Sequence, residues 1–117
     1  MLSKFEFADN VLGIIIDIDI NKLVLGEVHD LIQQKIDQNH CINLFVEIKP
    51  GVKIPVDIMI KDLIFKLGNN DHFKKMAIVA EAGIFEKSVR FKDFLMKAEI
   101  QTFSHKDRLK AMNWIAQ

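Results

Sequence analysis

The hydrophobic pattern along the chain changes between the period of a strand and that of a helix. Alternating isoleucines over residues 11–20 predict a strand with one buried face. Residues 2–7 form a shorter segment of the same kind, and Asp9 and Asn10 between the two are typical turn residues. Residues 2–20 therefore predict a β-hairpin.

Beyond the hairpin, apolar residues recur at helical spacing in four segments, and three short apolar runs between them have strand character. The predicted helices span 22–38, 55–67, 84–96 and the residues from 104 onward, and the predicted strands span 42–48, 76–80 and 99–103. Strands separated by single helices pair in parallel through right-handed crossovers. The sequence therefore predicts a single α/β domain over residues 1–117, with a mixed, mostly parallel sheet, an N-terminal β-hairpin and about four helices.

The second predicted helix has apolar residues on two sides. Ile58 and Phe65 are seven residues apart and share a position between the charges of Lys61 and Asp62. The wider stripe is expected to face the core, and consists of Val56, Met59, Ile60, Leu63, Ile64 and Leu67. This pattern predicts that Ile58 and Phe65 form a second apolar surface.

The third predicted helix has a similar apolar excess, because Phe85, Phe91 and Phe94 exceed what one core stripe requires. Three interpretations remain open. The two helix faces could line a groove for an acyl chain or a flat apolar molecule. They could form a homodimer face. They could also belong to a thick core that is covered by another part of the chain.

Composition and charge narrow the possible functions. Sixteen basic residues balance sixteen acidic ones, so the chain lacks the basic surplus of a nucleic-acid binder. Cys41 is the only cysteine, which excludes an internal disulfide and a zinc site built on several thiolates. The N-terminal residues lack the pattern of a signal peptide, and the longest apolar run is too short to span a membrane. We expect a cytoplasmic protein without a membrane span.

Catalytic and cofactor motifs are absent from the sequence. It contains no HExxH, no glycine-rich phosphate loop and no Gly-x-Ser-x-Gly elbow. We therefore assign no catalytic residue, no metal ligand and no cofactor. Paired carboxylates remain as an alternative: Asp17 and Asp19 on one strand face, or Glu47 and Glu81 at neighbouring strand ends, where α/β sheets bind ligands. They would suit a small enzyme or a metal- or metabolite-binding protein.

The order of elements resembles the STAS domain, and more closely the SpoIIAA-like family of small bacterial proteins. The resemblance covers essentially the whole chain. It is carried by core patterns in four places: the end of the hairpin at 10–14, the strand at 44–48, the helix around 62–65, and the strand at 73–81.

The resemblance implies a STAS-like fold, also likened to the lipid-binding Sec14 domain, and no established activity. In the related anti-sigma factor antagonists a serine after the third strand is phosphorylated. Residues 47–55 contain no serine or threonine here, so we predict no phosphorylation site. Glu81 matches an acidic position of relatives, but Ala82 and Gly83 replace the basic residue that follows it. The resulting hypothesis is a non-enzymatic binding or regulatory module. It would bind a protein partner or a small hydrophobic, lipid-like molecule through its apolar helix faces.

Overall fold

Five strands form one sheet whose spatial order follows the sequence. The structure is a computed structural model and describes residues 2–83 and 97–117. Its elements are β1 (Leu2–Ala8), β2 (Val11–Ile16), α1 (Lys22–Asn39), β3 (Ile42–Ile48), α2 (Val56–Gly68), β4 (Phe73–Val79), β5 (Glu99–Phe103) and α3 (Arg108–Ala116). Short 3₁₀ turns at Asn70–His72 and His105–Asp107 precede β4 and α3.

The strand directions confirm the predicted mixed, mostly parallel sheet. β1 and β2 are antiparallel and are joined through Asp9 and Asn10, as expected of the hairpin. The pairs β2–β3, β3–β4 and β4–β5 are all parallel. The described residues contain three α-helices, and the helix predicted over 84–96 lies outside them.

The strand predicted over residues 11–20 is wrong at its end, because β2 stops at Ile16. There the Lys49 amide donates to the Ile16 carbonyl (2.9 Å), and further on the Ile20 amide donates to the Lys53 carbonyl (3.0 Å). The Asp19 carboxylate accepts from the Lys53 amide at 2.8 Å. Asp17 and Asp19 therefore follow the strand, and they do not form a carboxylate pair on its face.

Helix ends agree closely with the sequence signals. Asn21 caps α1, and its side-chain oxygen accepts from the Val24 amide at 2.9 Å. α2 begins after Pro55 and ends at Gly68. These boundaries place α1 and α2 on the connections between β2, β3 and β4.

Two apolar cores lie on opposite faces of the sheet. The larger core joins alternate residues of β2, β3 and β4, such as Leu12, Leu44 and Met76, to α1 and α2. The smaller core joins the intervening residues to α3 and contains Val11, Phe45, Ala77, Val79, Ala111 and Ile115. This division follows from the two-residue period of a strand.

The edge strand β1 is held to the smaller core by Phe5. Its ring lies directly over Gly13, where any side chain would collide with it, and it meets Phe45 edge-to-face at 5.6 Å between ring centroids. Gly13 therefore provides the space that Phe5 fills.

At the opposite edge of the sheet, β5 is anchored by Lys97, which lies two residues before the strand begins. The Lys97 amide donates to the side-chain oxygen of Asn70 (3.0 Å), and its ammonium donates to Asp71 (2.7 Å). This hydrogen bond and the positive charge of Lys97 hold the pKa of Asp71 below its ordinary value of 3.8.

Candidate functional site

The orientation of α2 is the reverse of the one predicted from its hydrophobic pattern. Ile58 is only 3% exposed, and Phe65 packs against the larger core. On the other side of the helix, Val56, Ile60 and Ile64 are 63%, 53% and 64% exposed. The prediction that the wider stripe faces the core is therefore wrong for these three residues, whereas Leu67 packs against the core and Met59 lines its pocket. Ile58 is not part of an outer surface.

The reason for this orientation is a set of charges on the same side of α2 as Ile58 and Phe65. Asp62 accepts hydrogen bonds from the Lys66 ammonium at 2.7 Å and from His29 Nε2 on α1 at 3.0 Å. Asp62 and Lys66, the charged residues on the buried side of α2, therefore pair with each other, and Asp62 also pairs with His29. Buried charges are tolerated when they are paired in this way.

His29 also contacts Phe65 directly. The two rings are stacked with their centroids 3.9 Å apart and their planes 7° from parallel. The imidazole thus covers one face of Phe65 while its Nε2 donates to Asp62. This contact fixes the side of α2 that packs against α1.

Beneath this contact lies an apolar pocket of about 70 Å³ between the two helices and the sheet. Within residues 2–83 and 97–117, Asp62 and Lys66 are the charged residues in its lining. The sheet side and the helix walls are apolar, and include Val46, Ile48, Ile78, Val28, Ile32 and Ile58. The structure thus places Ile58 inside a pocket, beside two polar groups.

The opposite side of α2 forms an exposed apolar surface, which we call the outer stripe: Val56, Ile60 and Ile64. These side chains recur every four residues, so they lie on one line along the helix. Asp57 and Lys61 are exposed beside this line. The outer stripe is the part of the wide predicted stripe that the core does not use.

Glu47, one of the predicted polar site residues, is buried against the C-terminal helix. Its side chain is 1% exposed, and one of its oxygens accepts from Arg108 Nε and Nη2 at 3.0 and 2.7 Å. The Lys49 ammonium lies 3.5 Å from its other oxygen. Next to this group, His105 Nε2 donates to the Ile48 carbonyl at 2.7 Å. Glu47 thus forms ion pairs with two basic side chains, Arg108 and Lys49, at the end of β3.

Glu81, the other predicted polar site residue, has a different partner. Its carboxylate accepts from the Gly51 amide at 2.8 Å and holds the turn after β3. Gly51 has a φ of 86°, a conformation that glycine adopts without strain. Glu47 and Glu81 are therefore engaged separately, and the structure shows no contact between them.

Comparison with known families decides where this architecture belongs. A family model described as SpoIIAA-like matches residues 11–116. The chain belongs to the SpoIIAA-like family. The match confirms the resemblance stated from the core patterns. It begins at β2, so the edge strand β1 lies outside it.

A solved structure supports the SpoIIAA-like fold over nearly the full chain. The crystal structure of an uncharacterized protein of the DUF3478 family with a SpoIIAA-like fold, from Shewanella loihica PV-4, aligns with a TM-score of 0.72 at 15% identity. The alignment covers 98% of this chain and 92% of that one. No curated protein matched the sequence. The SpoIIAA-like fold suggests a regulatory or binding module.

The remaining predictions for this SpoIIAA-like protein have different outcomes. Phe85, Phe91 and Phe94 lie outside the described residues and stay predictions. Within residues 2–83 and 97–117, no group of three or more His, Cys, Asp or Glu side chains could hold a metal ion. In the same ranges, no helix is long and apolar enough to cross a membrane.

Sequence reasoning missed the contacts that orient α2 and anchor α3. His29 and Asp62 are 33 residues apart, and Glu47 and Arg108 are 61 apart, so no local spacing reveals either pair. One local signal was available. Asp62 and Lys66 are four residues apart on the side of Ile58, which is the spacing of an ion pair along a helix.

Proposed function

We propose that this SpoIIAA-like protein is a non-enzymatic binding module that takes a small, mainly apolar molecule with a polar end in the pocket between α1, α2 and the sheet. The observation that carries the proposal is the composition of the pocket lining, which among the described residues is apolar except for Asp62 and Lys66. Pockets for small molecules are mostly apolar, with a few polar groups that fix the orientation of the ligand.

The size of the pocket limits what it can take. Its volume of about 70 Å³ is well below the roughly 150 Å³ of an engineered cavity that binds benzene. A short alkyl segment fits this space, and a larger group requires one wall to move. Met59 lines the pocket and is partly exposed, and a methionine side chain rearranges readily because it is unbranched.

The polar groups favour a ligand with a polar end. Asp62 and Lys66 both line the pocket, and both are largely buried within the α1–α2 contact. A molecule with an apolar body and a hydrogen-bonding head would place the body over Ile48 and Ile78 and the head beside this pair. This arrangement supports amphiphilic ligands over pure hydrocarbons.

Isoleucine methyl NMR tests the proposal directly, because seven isoleucines line the pocket and Ile115 lies on the other face of the sheet. We expect 1-octanol, used as a probe, to shift the methyl signals of Ile48, Ile58 and Ile78 and to leave the Ile115 signal in place. Saturable shifts confined to the pocket support the proposal. Equal shifts at Ile115, or none at any pocket isoleucine, contradict it.

A pocket-filling variant provides the second arm of the test. Val46→Phe places a larger side chain in the pocket, and we expect it to weaken binding of 1-octanol at least tenfold. Leu109→Phe is the matched control, because Leu109 is 67% exposed on α3. An unchanged Ile115 methyl position verifies the fold in both variants. Undiminished binding in Val46→Phe would place the probe elsewhere.

A second candidate function is docking of a protein on the outer stripe. The specific observation is that Val56, Ile60 and Ile64 are each more than half exposed along one line of α2. Exposed apolar patches of this kind mark interaction sites more often than scattered single residues do. This candidate uses the same helix as the pocket but the opposite side of it.

A further inference from the structure

We infer that a second copy of this chain docks on the outer stripe, with the two α2 helices packed antiparallel about a twofold axis near Ile60. The inference rests on the second candidate function and names its partner. It uses the three residues of the outer stripe together with Asp57 and Lys61, which lie along one flank of it. All five side chains are exposed, and within the described part of the chain Asp57 and Lys61 have no ion-pair partner.

The apolar part of this surface is complementary to itself. Val56 and Ile64 lie at equal distances before and after Ile60, about 6 Å along the axis for a rise of 1.5 Å per residue. A twofold axis at Ile60 therefore brings Val56 against the partner's Ile64, and Ile60 against the partner's Ile60. Leu63, which is partly buried, extends the contact on the flank away from Asp57.

The charges of Asp57 and Lys61 favour an antiparallel arrangement of the two copies. Asp57 lies about 4.5 Å before Ile60 along the axis and Lys61 about 1.5 Å after it, both on the same flank at 100° per residue. The twofold axis reverses the axial order and keeps the flank. Asp57 then lies about 3 Å along the axis from the partner's Lys61, twice by symmetry. A parallel pair of helices would place the same charges on opposite flanks.

The size of the outer stripe sets the strength of the association. Three half-exposed aliphatic side chains make a patch of a few hundred Å². A stable interface buries about 800 Å² per partner. We therefore expect a reversible dimer whose dissociation constant lies in the micromolar to millimolar range.

Sedimentation velocity over protein concentrations from about 10 μM to 1 mM is the first test, since it spans that range. The weight-average mass should rise from 13.5 kDa toward twice that value. Ile60→Lys should weaken self-association at least tenfold. Leu23→Lys, at a side chain 73% exposed on α1, is the control and should leave it unchanged. A wild-type chain that stays monomeric throughout, or a dimer that persists in Ile60→Lys, would overturn the inference.

Charge reversal tests the antiparallel geometry itself. Asp57→Lys alone and Lys61→Asp alone each place like charges along the flank of a homodimer, so each variant should self-associate more weakly than the wild type. Mixed together, the two variants restore both cross-pairs and should form a heterodimer. A mixture that associates no better than its components would overturn the antiparallel arrangement.

The dimer inference and the pocket proposal can be tested independently of each other. Ile60→Lys should still show the 1-octanol shifts of the pocket isoleucines, since Ile60 is on the other side of α2. Val46→Phe should still dimerise. Loss of dimerisation in Val46→Phe would show that the interface depends on the pocket, which contradicts a contact made by the outer stripe alone.

Discussion

On one face of the sheet two long helices cover a large apolar core, whereas on the other face α3 covers a small one. The larger core reaches from β2 to β4 and contains the pocket. The smaller core has six buried apolar residues in the part of the chain that the structure describes, and it is supplemented by buried polar contacts. Glu47 binds Arg108 there, and the Asn43 side-chain amide donates to the Ile115 carbonyl at 3.0 Å.

This difference indicates separate roles for the two faces. The face under α1 and α2 relies mostly on non-directional burial, supplemented by the hydrogen bonds of Asp62 to His29 and Lys66, and this leaves room for a pocket. The face under α3 relies on directional contacts, which fix one position of a short helix. A binding function on the first face and an anchoring function on the second are consistent with this division.

The largest expected effect comes from enlarging the pocket on the face covered by α1 and α2. Ile58→Ala should destabilise the protein by about 3–4 kcal/mol, because it removes buried methyl groups and enlarges the existing cavity beside them. Urea unfolding followed by circular dichroism measures this loss. Ile60→Ala makes the same chemical change at an exposed position of α2 and should stay within about 0.5 kcal/mol of wild type. The opposite ranking would show that α2 is turned the other way.

The next effect breaks the anchoring contact on the α3 face. Arg108→Ala should cost about 3 kcal/mol, since it leaves the buried Glu47 carboxylate with Lys49 as its remaining ion-pair partner among the described residues. The same unfolding experiment measures it. Lys110→Ala is a suitable control, because Lys110 lies on the same helix with its side chain 79% exposed. Equal stability of the two variants would show that the buried ion pair does not hold α3.

The smallest effect concerns the edge of the α3 face. Gly13→Ala should cost about 1–2 kcal/mol, because the new methyl group displaces the Phe5 ring from its contact with Phe45. Phe5→Leu in the same chain should recover part of this loss, and thermal unfolding of both variants checks the coupling. Gly26→Ala serves for comparison: no atom lies within 4 Å of its added methyl, and alanine favours the interior of α1. A Gly13→Ala protein as stable as wild type would contradict the close packing.

Most of the fold could be predicted from local patterns. Alternation identified the strands, Asn21 and Gly68 marked helix ends, and single helices between strands implied parallel pairing. The end of β2 could not be predicted, because the isoleucines of residues 17–20 continue the alternation. There the Ile20 amide donates to the carbonyl of Lys53, which is 33 residues away along the chain. Strand length is set by such partners and not by composition alone.

The candidate site could be predicted only in part, for a reason specific to α2. This helix is apolar on nearly every side, so counting apolar residues does not determine which side is buried. The deciding contacts come from His29 on another helix. The sequence therefore identified Ile58 and Phe65 as unusual, but it did not decide between a groove, an interface and the core. For Glu47 it identified the end of a buried strand. It did not identify the partner Arg108, which is 61 residues further along the chain.

The position of α3 in the order of elements has a consequence for how the chain is made. Synthesis runs from the amino to the carboxyl terminus, so α3 emerges from the ribosome after every strand that it covers. Helix α1 can cover its face as soon as β3 pairs with β2. On the other face Phe5 reaches Phe45 early, but Ala77 and Val79 must wait until α3 arrives and Arg108 reaches Glu47. The two faces of one sheet are therefore completed at different times.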